Sequence, residues 1–263
     1  MDVSLMLGRK SVSEFNFNLD GMAELYREVA EAQAEVGGNL CYRAKVPAGG
    51  GKSFDIYTGD EESDTSVTSI VGVIVYSHAC NAYFDEVNKE NVTPLCTSED
   101  GITGVDAESG EFCRCEDCPR NDYGSALNGA GKACKNMRRL YMMTEGSPIP
   151  LLISLPPTSL NNYKNYRLST LAANRLKPHE AVTELTLTPM VSKTNQKYSV
   201  VKFKLLGKLS DDAKRIAEEM SVSLKPTAIA NAQISGEDYN RGNTEALSDG
   251  NSENTGESIG TGE

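Results

Sequence analysis

Five of the seven cysteines lie between positions 96 and 134, in a stretch too polar to fold around a core of its own. Residues 92–136 are dense in Gly, Asp and Ser and poor in large apolar side chains, so an ion must supply what burial does not. Cys115 and Cys118 form a C-x2-C pair, with eighteen residues separating Cys96 from Cys115 and fifteen separating Cys118 from Cys134. These are zinc-ribbon loop lengths, and four thiolates at about 2.3 Å make a tetrahedral Zn2+ shell. The expected ligands are therefore Cys96, Cys115, Cys118 and Cys134, with Cys113 as a spare thiol and His78 as an alternative ligand. Cys41 and Cys80 read as core residues.

The odd cysteine count favours a metal over disulfides, as in a reducing cytoplasm. No apolar run has the length of a membrane span, and Met1–Lys10 lacks the order of a signal peptide, so the expected location is the cytoplasm of a bacterial host, with no membrane partner. The net charge of -11 argues against a polyanionic partner until its distribution is read. Residues 1–131 carry 9 Lys and Arg against 23 Asp and Glu, whereas residues 132–204 carry 12 against 3. Such polarity predicts one basic face on an acidic protein, the electrostatic footprint of a nucleic-acid binder.

Hydrophobic periodicity predicts an amphipathic helix over Asp20–Val36 and short strands over Leu40–Val46 and Ser53–Thr58. The Gly-Lys-Ser between those strands is not a phosphate loop, because Val46 occupies the place of the first glycine and no helix follows. A long β-branched strand over Ser66–Tyr76, with a bend or bulge at Gly72, continues near Asn81–Phe84. Strands over Arg138–Thr144 and Ile149–Leu155 precede a helix started by Pro156 and Pro157 and running to about Leu176, with Leu160, Tyr163, Leu168 and Leu171 on one stripe. Strands over Ala181–Thr188 and Lys197–Leu206 and a helix over Ser210–Met220 complete the order.

That order predicts a mainly β fold with helices: an OB-type five-stranded barrel carrying an inserted zinc-ribbon-like segment and a disordered acidic tail. The expected organisation is an N-terminal helix and short strands over 1–65, the barrel over 66–221 with its insertion at 92–136, and the tail over 222–263. From Gln233 onward one Arg stands against seven Asp and Glu, and apolar residues are scarce.

Alternation on the strand around Tyr198–Leu205 sends Val201, Phe203 and Leu205 one way and Tyr198, Lys202 and Lys204 the other. Likewise Arg139 and Tyr141 oppose Leu140 and Met142. Cations that track phosphates beside rings that stack on bases are what an unpaired strand needs. The expected nucleic-acid surface is Lys132, Lys135, Arg139, Tyr141, Tyr198, Lys202 and Lys204.

The run CEDCPRNDYGSALNGAGKACKNMRRLYMM, continued by IPLLISLPPTSLNNYKNY, resembles a group of bacteriophage and mobile-element proteins over roughly residues 70–206. The matching positions are Cys115, Cys118, Pro119, Gly124, Ser125, Gly131, Lys132, Cys134 and Pro156–Leu160. More distantly, a zinc-binding insertion in an OB barrel followed by an acidic end is similar to phage single-stranded DNA-binding proteins and the large subunit of replication protein A. The resemblance implies a protein that protects and organises single-stranded DNA in replication or recombination, with replication or recombination proteins recruited by the acidic tail. The chain departs from that pattern at its end, Ile259-Gly260-Thr261-Gly262-Glu263, which lacks a final aromatic or apolar residue.

An enzyme is not expected: there are two His, and no His-x-Glu precedes a Pro-Cys-x2-Cys as zinc deaminases require. The alternative to a DNA-binding protein is a zinc-containing protein-interaction or regulatory module without nucleic-acid binding.

Overall fold

The computed structural model describes residues 24, 25, 28, 31, 32 and 41–230, apart from 86, 88–92, 128, 130, 193 and 194. The strands are β1 (Tyr42–Lys45), β2 (Phe54–Tyr57), β3 (Thr65–Val67), β4 (Ser69–Tyr83), β5 (Cys96–Ser98), β6 (Thr103–Asp106), β7 (Phe112–Arg114), β8 (Lys135–Thr144), β9 (Leu151–Leu155), β10 (Ala181–Val191) and β11 (Lys197–Lys208). Among the described residues from 41 onward the α-helices are α1 (Pro157–Asn165), which runs on as a π-turn over Tyr166–Leu171, and α2 (Asp211–Ala230). Glu24, Leu25, Glu28, Glu31 and Ala32, within the expected N-terminal helix, are helical and exposed, and the rest of that segment lies outside the described residues.

The eleven strands of the described residues share one mixed sheet, in the order β3-β2-β1-β9-β8-β4-β5-β6-β7, with β10 also paired to β4 and β11 to β10. The strand β4 is its hub. Along one edge β8 pairs with it from Gly72 to Ala82, while along the other β10 takes Ser69–Val73 and β5 takes Asn81–Tyr83. The ladder slips between Ile74 and Tyr76, leaving Val75 as the extra residue of a bulge. The bulge expected at Gly72 is therefore three residues later. Gly72 has a different role, since a Cβ there would lie 2.3 Å from the Met143 carbonyl oxygen.

The sheet curls around a core built from Phe54, Ile56, Ile74, Leu140, Met142, Ile153 and Leu185. The expectation of a closed five-stranded barrel is not met: the protein is mostly β, with a many-stranded mixed sheet that does not close. Between β1 and β11 an isolated bridge joins Ala48 to Tyr198. At the open edge of β11, the Ser159 hydroxyl accepts the Val201 N–H at 3.0 Å and the Asn162 amide donates to the Val201 carbonyl at 2.9 Å. Polar side chains of α1 thus satisfy an edge that would otherwise invite another strand. Tyr163 and Tyr166 of the same helical run lie against Phe203, with ring centroids 5.3 and 5.5 Å away. The π-turn brings Tyr166 to the core and leaves Leu168 exposed, which breaks the stripe expected from a uniform α-helix.

A second core covers the outer face. Ala213, Ala217, Met220, Leu224 and Ala228 recur at helical spacing on α2 and pack on Val71, Val73, Tyr141 and Met143. Ser210 caps the helix, its hydroxyl accepting the Ala213 N–H at 3.3 Å. The expected boundary at 222 falls inside this helix, because the apolar stripe continues through Leu224 and Ala228. The acidic stretch 231–263 lies outside the described residues. The expected division at 65/66 likewise crosses a continuous sheet, since β1 pairs in parallel with β9. No helix among the described residues is long and apolar enough to cross a membrane.

Candidate functional site

The short strands β5, β6 and β7 form a meander on the far end of β4, where Tyr83 pairs with Cys96. Its turns are shaped by carboxylates rather than by apolar packing. Asp100 accepts the Ile102 and Thr103 N–H groups at 2.7 and 2.8 Å and the Ser98 hydroxyl at 3.0 Å. Asp106 accepts the Ser109 and Glu108 N–H groups at 2.9 and 3.1 Å, and the bonds from Ser109 and Glu108 hold its carboxyl below the ordinary aspartate value.

Within this lobe Cys96, Cys113, Cys115, Cys118 and Cys134 all line one cavity of about 450 Å³. Cys115 and Cys134 are buried, Cys96 and Cys118 half-buried, and Cys113 exposed at the mouth. Burial, with the neighbouring thiols adding to it, pushes Cys134 up to about 12 and Cys96 up to about 11. Both are neutral thiols at physiological pH. As the side chains stand, no three His, Cys, Asp or Glu among the described residues are grouped closely enough to hold an ion. His78 is not at this cavity: its Nδ1 lies 2.8 Å from the Glu99 carbonyl oxygen, on the outer face.

A second cavity, a groove of about 730 Å³, adjoins the first and shares Asn81 and Asn121 with it. Its floor is the end of β4 and β8, and its far wall is α1 with the π-turn. Arg138, Lys164 and Arg167 line it, and none of the lining residues is acidic. Arg138 is pre-positioned: it donates to the Ser77 hydroxyl at 3.1 Å, and its guanidinium lies 5.8 Å from the centroid of the Tyr163 ring. Arg167 lies 5.9 Å from the same ring. Between the cations the Asn136 amide donates to Asn81 Oδ1 at 2.8 Å and to Asn121 Oδ1 at 3.0 Å.

The cationic platform expected across β8 and β11 does not form. Arg139 and Tyr141 face away from the first core, as alternation requires, but α2 covers that side and both are fully buried. The Tyr141 hydroxyl donates to the Ala228 carbonyl at 3.1 Å. On β11, Lys202 and Lys204 are exposed and Tyr198 half-buried, with Lys204 Nζ 3.7 Å from Glu184. Lys132 and Lys135 are half-buried beside the thiol lobe, Lys132 donating to Asn121 Oδ1 at 3.1 Å and Lys135 to the Lys132 carbonyl at 2.8 Å.

Arg138 was legible in the sequence as part of a basic track with Lys132 and Lys135, whereas Lys164, Arg167 and the asparagines were missed. Lys164 and Arg167, three residues apart on a helical run, were the available signal. No protein-family model, curated protein or solved structure matches this chain.

Proposed function

We propose that the chain binds single-stranded nucleic acid, in the first instance DNA, and protects and organises it during replication or recombination of a phage or mobile element. The observation that carries this reading is the groove between α1 and the thiol lobe, which presents Arg138, Lys164 and Arg167 with no carboxylate among its lining residues. Phosphodiester backbones are held by such cations through counterion release, and fixed amides beside them offer donors and acceptors to base edges. The finer OB-type relation belongs to the same proposal. It is supported by the curled sheet and by the one helix that precedes the last hairpin, β10–β11.

A second reading, a protein-interaction module, is favoured by one feature. Ile102, Phe112, Tyr123 and Leu127 are 66%, 76%, 85% and 73% exposed on the thiol lobe. Anisotropy of a fluorescein-labelled thymidine homopolymer separates the two. The first reading expects binding that weakens steeply with salt and tolerates changes of sequence. Absence of binding to single-stranded DNA at low salt, with or without residues 231–263, would transfer the lobe's apolar surface and the acidic end to a protein partner.

A further inference from the structure

We infer that the thiol-lined cavity is a zinc centre, with Cys96, Cys115, Cys118 and Cys134 as ligands and Cys113 as a fifth thiol at its mouth. Three separate stretches of chain deliver these cysteines to one cavity. Packing alone does not call for that, because apolar residues would fill the same space without reactive sulfur.

Gly104 is the second observation. It sits inside β6, opposite Cys113 on β7, and a Cβ there would lie 2.8 Å from Cys113 Sγ and 3.2 Å from Cys96 Sγ. This strand position has given up its side chain so that two sulfur atoms from the flanking strands can converge over it. The convergence does not make a disulfide. Cys96 and Cys113 are separated by a whole strand, so at about 4.8 Å per strand their backbones are roughly 9.6 Å apart, beyond the reach of about 7 Å that a disulfide allows. In the space that Gly104 leaves, Cys96 can take its bond to the ion while Cys113 stands beside it as the fifth thiol.

The backbone around the ligands is already fixed. Cys115 N–H donates to the Ile102 carbonyl at 2.8 Å, Cys134 N–H to the Arg120 carbonyl at 2.8 Å, and the Cys118 carbonyl accepts from Asn121 N–H at 2.8 Å. What an ion would recruit is side-chain rotation, and a change of χ1 well swings a cysteine sulfur by about 3 Å. On binding, the four thiols become thiolates and release four protons, giving a dianionic tetrathiolate with one Zn2+. Asp106 also lines the cavity, but its carboxylate is engaged by the turn at Ser109, and thiolates select zinc over magnesium or calcium.

The test uses the full chain, exposed to zinc and dialysed, with metal content read by mass spectrometry and zinc release followed as a mercurial titrates the thiols. One zinc per chain, liberated as four thiols are modified, is expected. Cys113→Ser should keep the ion, while Cys118→Ser and Gly104→Val should lose it. A folded wild-type chain with well under one zinc, iron in its place, or thiols that all react freely in the presence of zinc would overturn the centre. Loss of zinc in Cys113→Ser would overturn the ligand assignment. Should Cys118→Ser or Gly104→Val fail to fold, the wild-type stoichiometry and thiol protection still decide. None of these measurements involves nucleic acid, so their failure leaves the groove's proposed role standing, and the reverse holds.

Discussion

The side-chain amide of Asn121 donates to the Cys115 carbonyl at 2.7 Å, while its oxygen accepts from Asn136 at 3.0 Å and from Lys132 at 3.1 Å. One carboxamide therefore ties the thiol lobe to the floor of the cationic groove. Asn121→Ala removes all three hydrogen bonds, two of them between neutral groups worth about 1 kcal/mol each. The expected outcome is a lower melting temperature and an affinity for thymidine homopolymer weakened by roughly fivefold, read by thermal unfolding and anisotropy.

Replacing Arg138, Lys164 and Arg167 together by Ala should flatten the dependence of log affinity on log salt by about 2, at about 0.7 for each single-strand phosphate that is no longer neutralised. The pair Lys202→Ala and Lys204→Ala, on the outward face of β11, should change that slope far less. A larger effect from the β11 pair would relocate the binding track.

The stripe of α2 predicts that Leu224→Ala destabilises the fold by about 2–4 kcal/mol, because the side chain is buried against the outer face of the sheet. Truncation after residue 221 should be more severe than truncation after residue 230, since only the former removes Leu224, Ala228 and the acceptor of the Tyr141 hydroxyl. Urea denaturation of the two truncated chains compares them directly.

Burial lowers the His78 pKa below 6.5, opposed by its bonds to the Ala79 and Glu99 carbonyls and reinforced by Arg139 and Arg138. The unfolded chain therefore takes up this proton more readily than the folded one. Stability from this site is complete above about pH 6.5 and is lost as the pH falls through the lower folded value. His78→Gln should show a smaller drop in melting temperature between about pH 7.5 and pH 5.5 than the wild type, because the titrating ring is gone.

The strands from β8 to β11 are legible in the sequence as short runs rich in apolar and β-forming residues between turn residues, and the helix before β10 announces itself by its prolines. Alternation separates two faces but does not say which is wet. It puts Arg139 and Tyr141 on the correct side of β8, yet their surroundings depend on α2, a helix distant in sequence. The thiol-lobe strands are three or four residues long and are set by Asp100 and Asp106 turns, so they carry almost no periodic signal. The groove is less legible still: Asn81, Asn121 and Asn136 meet only because β4, the turn after Pro119 and β8 converge.

The extra residue at Val75 changes the phase of β4. Before it, even-numbered residues such as Ile70 and Ile74 point into the curl of the sheet; after it, the odd-numbered Ser77, Ala79 and Asn81 do so. Deleting that one residue would rotate the distal half of the strand by half a turn, carrying His78 into the groove and Asn81 out of it. An inserted amino acid thus lets one uninterrupted strand serve an apolar interior at one end and a polar recess at the other.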